Sequence, residues 1–173
     1  SRADIVASCQ HALAVHGRPR ATGDLDVWVD ATPENAPRIM RALAEFGSPM
    51  HDLSLADFTA PGVVYQMGLP PGRIDVLTQL SGLRFEEAWP GRLEHQVGDL
   101  RVPVIGREAF IINKRATGRA KDLGDLDDLA FGDAGLDHHA AAVDVVLDGI
   151  AEQVGQDLLD AGAIGAHLFG QAR

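Results

Sequence analysis

The stretch that most constrains this chain is Gly17-Arg-Pro-Arg-Ala-Thr-Gly-Asp-Leu-Asp-Val-Trp-Val-Asp30, a Gly-, Pro- and Arg-rich loop that runs into alternating polar and apolar residues from Asp24 onward. A period of two marks a strand, with Asp24, Asp26 and Trp28 on one face and Leu25, Val27 and Val29 on the other. The second set is a core face. The first set puts two carboxylates on neighbouring same-face positions. Two ionised carboxylates that close repel, and partial burial sharpens the repulsion, so they need protons or a cation. A hard divalent cation meets that need: Mg²⁺, with Mn²⁺ as the alternative, takes one or two carboxylates plus substrate phosphates. The bland alternative is a solvated edge strand, because Asp-Leu-Asp is a common tripeptide.

A second alternating stretch, Arg73-Ile-Asp-Val-Leu-Thr78, follows the Pro70-Pro71-Gly72 turn. Ile74, Val76 and Thr78 share one face, and Arg73, Asp75 and Leu77 share the other. If this strand lies beside the first, Asp75 completes a triad with Asp24 and Asp26. Carboxylates converging from adjacent strands suit one or two Mg²⁺ ions in phosphoryl or nucleotidyl transfer. An ordinary surface acid is the competing reading of Asp75.

A helix ending His16-Gly17, then Arg20-x-Thr22-x-Asp24-x-Asp26, and later Arg73-Ile-Asp75-Val-Leu77, resembles the minimal nucleotidyltransferase superfamily, particularly its AbiEii-like bacterial members. The resemblance covers about Ala12 to Leu129. It implies that Asp24, Asp26 and Asp75 are both catalytic and metal-binding, with Mg²⁺ as cofactor and a nucleoside triphosphate as substrate. By the same resemblance Lys114 binds nucleotide phosphates, assisted by Arg119 and Lys121. The acceptor is tRNA, a protein side chain or a small molecule, and a toxin–antitoxin setting is implied. The family's Gly-Gly or Gly-Ser pair, which lets backbone N–H groups approach phosphate, is replaced here by Ala7-Ser8 or Cys9-Gln10. That departure supports an alternative: a non-catalytic nucleotide-binding or protein-interaction module. Loop placement beside the carboxylates makes Arg18 and Arg20 phosphate-binding candidates, with solvated loop charge as the other reading. Thr22 is a weaker member of the same set, since its hydroxyl can equally serve the turn.

Charge sharpens the picture. The net charge of −10 argues against broad affinity for nucleic acid. Yet Arg18, Arg20, Arg73, Lys114, Arg115, Arg119 and Lys121 gather near the motifs, while acids dominate from Asp122 to Asp160. Such a division permits a basic triphosphate pocket on an acidic body. Cys9 is the one cysteine, which excludes an internal disulfide framework and suits a reducing cytoplasm. No apolar run approaches membrane-spanning length, and the first residues lack a signal-peptide pattern. The expectation is a cytoplasmic protein without a membrane partner.

Along the chain, residues 7–16 read as a helix capped by Ser8 and stopped by Gly17, with His16 either a C-terminal capping cation or a substrate contact. Thr32-Pro33-Glu34 opens a helix to Phe46, with Ile39, Met40, Leu43 and Phe46 as its core stripe. A helical turn is expected at Leu55–Phe58, and strand 63–67 should hairpin to the Asp75 strand, with Tyr65 as a cross-strand core contact. A short helix at Ser81–Trp89, a hairpin of 93–97 with 100–105, and helices at 107–114 and 122–131 follow. In the last of these Leu123, Leu126 and Leu129 should face inward. The fold class expected is α/β (or α+β): a small mixed sheet flanked by helices over residues 1–131, with a helical extension at 132–173. The apolar face of Val143, Val146, Leu147 and Ile150 in that extension must pack on the main domain or a partner, such as a second copy or an antitoxin.

Overall fold

The computed structural model describes residues 3–8, 12, 16, 24–69, 72–97 and 100–130. The extension expected at 132–173, with its domain boundary, lies outside them, as do Arg18, Arg20 and Thr22. In chain order the elements are β1 (Ile5–Ser8), β2 (Asp24–Val29), α1 (Ala36–Phe46), β3 (Val64–Met67), β4 (Arg73–Leu77), α2 (Phe85–Ala88), a 3₁₀ turn (Trp89–Gly91), β5 (Leu93–Val97), β6 (Leu100–Val104), α3 (Arg107–Thr117) and α4 (Ala120–Ala130).

The strands form one mixed sheet in the order β3-β4-β2-β1-β6-β5. β2 pairs with β4 in parallel and with β1 antiparallel, β1 meets β6 in parallel, and the two outer hairpins are antiparallel. The α/β expectation therefore holds, as a mixed six-stranded sheet with helices.

Alternation along the strands sorts side chains into two cores. Val27 and Val29 face a cluster with Ile74, Val76, Tyr65 and Met67, closed by Ile39 and Leu43 of α1 and by Phe58. Tyr65 is the core contact expected: its hydroxyl shares a 2.5 Å hydrogen bond with Ser48, and its ring meets Phe58 edge-on at 6.4 Å. Trp28 faces the opposite core with Val6, Phe85, Ala88, Ile105 and Phe110. The Trp28 and Phe85 rings meet edge to face with centroids 5.0 Å apart. Asp24 and Asp26 share Trp28's parity, so they lie on this second face, at the end of the sheet where β2 and β4 begin.

Several boundaries differ from the sequence expectation. Residues 5–8 form strand β1, not the start of a helix, and Ser8 ends that strand instead of capping a helix. Four residues suffice because β1 sits between β2 and β6 and is paired on both sides. Helix α1 starts at Ala36, because Thr32–Asn35 is a turn that buries Asn35. The Asn35 amide donates to the Asp4 and Asp30 carbonyls, both at 2.9 Å, and accepts from the Asp4 N–H at 2.9 Å. Helix α2 begins only at Phe85, since Gly82 at φ +76° belongs to a turn that L side chains resist. Helix α3 runs on to Thr117 and stops at Gly118 in the left-handed region. In α4, Leu123 is 50% exposed instead of inward; the buried position beside it is taken by Asp122. No helix among the described residues is long and apolar enough to cross a membrane.

Candidate metal centre

Register builds the site. Asp26 stands directly opposite Asp75 in the parallel β2–β4 pair, and Asp24 stands opposite Arg73. Neighbouring parallel strands run about 4.8 Å apart, so Asp26 and Asp75 face each other across one strand spacing. Carboxylate oxygens from Asp24, Asp26 and Asp75 all lie within 4.8 Å of one another. The triad expected from two separate stretches is thus brought together. Asp75 is buried and the other two are half-buried. A donor set of three carboxylates is all oxygen, anionic and hard, which fits Mg²⁺ or Mn²⁺ and disfavours softer ions.

Three neighbours complete the cluster. Arg73 forks across it, donating from Nη2 to Asp24 at 2.6 Å and from Nε to Asp75 at 2.9 Å. Gln66, opposite Asp75 on β3, donates to its other oxygen at 3.2 Å. Ser8, opposite Asp26 on β1, is buried with its hydroxyl 3.4 Å from the Asp26 carbonyl. Arg73 is the member whose role the sequence reading missed. Its signal was available: it shares Asp75's parity, so a parallel neighbour was bound to bring it to the first-strand acids.

Two of the remaining candidates meet at a second acidic group. Lys114 is buried and donates to Asp122 at 2.8 Å, and Arg119 donates to the other oxygen of Asp122 at 2.6 Å. Burial pushes the Asp122 carboxyl up, but the hydrogen bonds from Arg119 and Lys114 outweigh it and hold the group down at about 2. Lys121 is exposed on α4. His16 packs beside Ile105 and Phe110. Its Nε2 is 3.0 Å from the Ile105 carbonyl, and its ring tilts against Phe110 at 6.0 Å. Burial lowers its pKa, so the neutral ring donates Nε2–H to that carbonyl, which can only accept. The Trp28 indole N–H is buried and has no hydrogen-bond partner among the described residues.

The mixed sheet and the three-carboxylate cluster define an α/β protein with an acidic centre, able to hold a cation, at the start of two parallel strands. No protein-family model matches the chain, and no curated protein matches its sequence.

Proposed function

We propose that this chain is a Mg²⁺-dependent nucleotidyltransferase-type protein, which moves a nucleoside monophosphate from a nucleoside triphosphate to a hydroxyl acceptor. The observation that carries the reading is the convergence of Asp24, Asp26 and Asp75 within 4.8 Å on two register-matched parallel strands. The motifs that resemble the minimal nucleotidyltransferases support it. In this reaction the acceptor oxygen bonds to the α-phosphorus, the bond to the bridging oxygen breaks, and pyrophosphate leaves. Bound Mg²⁺ would neutralise phosphate charge and align the reacting oxygens. Asp24 and Asp26, half-buried at the strand end, would hold the cation from the open side. Asp75 would hold it from the buried side and accept the acceptor's proton, which requires it to give up a hydrogen bond from Arg73 or Gln66. A phosphate role for Arg119, whose side chain is 71% exposed, would require it to loosen its bond to Asp122. A phosphate role for Lys114 carries the same condition in a buried setting.

A second reading, a non-catalytic module, is favoured by one observation: Arg73 already bridges two of the three carboxylates. Calorimetric titration with each of the four common nucleoside triphosphates, with and without Mg²⁺, separates the two. Mg²⁺-dependent binding that disappears in D24N/D26N, with the fold retained, is the result expected of the transferase. Binding unchanged in that variant refutes the metal triad, and no binding at millimolar ligand moves the assignment to the non-catalytic module.

A further inference from the structure

We propose that Arg73 is a built-in, displaceable counter-ion of the carboxylate triad, so that a divalent cation enters by competing with its guanidinium. This rests on reading the triad as a metal centre, and it adds what regulates entry. The guanidinium spans Asp24 at 2.6 Å and Asp75 at 2.9 Å, occupying two of the three carboxylates that a cation would use. Charge-assisted bonds of that length are strong ones. They are also reversible here, because the Arg73 and Asp24 side chains are 30% and 35% exposed.

Arg73 reaches the triad as a flexible stem from β4, so it leaves by rotating its own side chain into water, with no strand displaced. The incoming ion carries two charges on a small radius and contacts carboxylate oxygens at about 2.0–2.2 Å, whereas the guanidinium spreads one charge over a plane. The dication therefore wins once its concentration is high enough, and Arg73 sets where that threshold lies. Without metal, the guanidinium keeps three clustered carboxylates from repelling one another. The site stays folded in both states because one cation or the other is always present.

Mn²⁺ binding to the full chain, measured by calorimetry and by the loss of the free-ion electron paramagnetic resonance signal, tests this in wild type, R73Q and R73K. R73Q is expected to bind Mn²⁺ about tenfold more tightly than wild type, since one set of partly exposed, charge-assisted contacts no longer has to be broken. R73K keeps a charge but loses the fork, and should fall between them. Metal-free R73Q should melt below wild type, and saturating Mn²⁺ should raise its melting temperature by more than it raises that of wild type. Equal or weaker Mn²⁺ binding in R73Q, with wild type binding normally, overturns the counter-ion role and leaves the metal centre standing. No Mn²⁺ binding by any of the three proteins overturns both. If R73Q does not fold, R73K decides, and affinity equal to wild type there refutes the proposal.

Discussion

Replacing Asp122 by Asn should be among the most damaging single polar substitutions in the domain. Asp122 is 1% exposed and is held by Lys114 at 2.8 Å and Arg119 at 2.6 Å. Asn is nearly the same size, so the change isolates charge from packing. Arg119 is 71% exposed and relaxes into water at little cost. Lys114 is 3% exposed and has no such exit, so its ammonium is left in the interior without this counter-charge. Breaking a buried pair by removing one partner costs about 3–5 kcal/mol. The loss is bounded, because a buried lysine can shed its proton. Reaching the neutral amine at pH 7 from an ordinary lysine pKa of about 10.4 costs about 4.6 kcal/mol. The expected loss is therefore about 3–4.5 kcal/mol. Lys114→Met should cost less, about 1–2 kcal/mol, because Asp122 keeps its bond to Arg119. Urea unfolding followed by tryptophan fluorescence reads both. With a slope of about 2 kcal/mol per molar, D122N should lower the midpoint by about 1.5–2.3 M.

The two proteins should also differ in pH dependence. In wild type the folded carboxyl sits at about 2, below its unfolded value of 3.8. Its contribution is thus complete above the unfolded value and is lost as the pH falls through the folded one, between about pH 4 and pH 2. In D122N the unfolded chain binds more protons at lysine than the folded chain does, so stability should rise from pH 7 to pH 9. A D122N protein within about 1 kcal/mol of wild type, with no rise toward alkaline pH, would refute the buried-pair reasoning.

Two further substitutions test the fold around the site. Gly106→Ala should destabilise by about 2–4 kcal/mol in the same urea assay. Its backbone is ordinary at φ −67°, but an added Cβ would overlap the Gly91 carbonyl oxygen, a backbone atom that cannot rotate away. Asn35→Ala should cost about 2–3 kcal/mol, because it removes a partner from the Asp4 N–H and the Asp30 carbonyl and leaves the Asp4 carbonyl the Asp30 N–H. Faster amide exchange at Asp4 is the local signature, and an unchanged rate there would refute the assignment.

What the sequence disclosed depended on the range of the interaction. The triad was legible because a period of two fixes which residues share a face, and two such stretches needed only to become neighbours. The β2–β4 pairing supplied that, with Asp26 opposite Asp75. Strand β1 was not legible, because Ile5-Val-Ala-Ser8 is too short to show a period and owes its conformation to β2 and β6 on either side. The inward turn of Asp122 was hidden for a different reason. Its partner Lys114 lies eight residues away across the Gly118 break, beyond helical spacing, and hydropathy assigns the core position to Leu123 instead.

The two acidic centres make opposite uses of positive side chains, and burial decides which. At Asp122 both carboxylate oxygens are taken by cations, and Lys114 is enclosed with it, so exchanging Asp122 removes the lysine's counter-charge where water cannot reach. At the triad the carboxylates outnumber the guanidinium that bridges them, and both Arg73 and Asp24 keep about a third of their surface in water. Under the proposed metal reading, releasing Arg73 there would leave it solvated, and the carboxylates would gain a stronger cation in return. The same chemistry would therefore give a lock between α3 and α4 and, on the proposed reading, an exchangeable centre at the head of β2 and β4. Of the two, cation exchange would be physically cheap at the second.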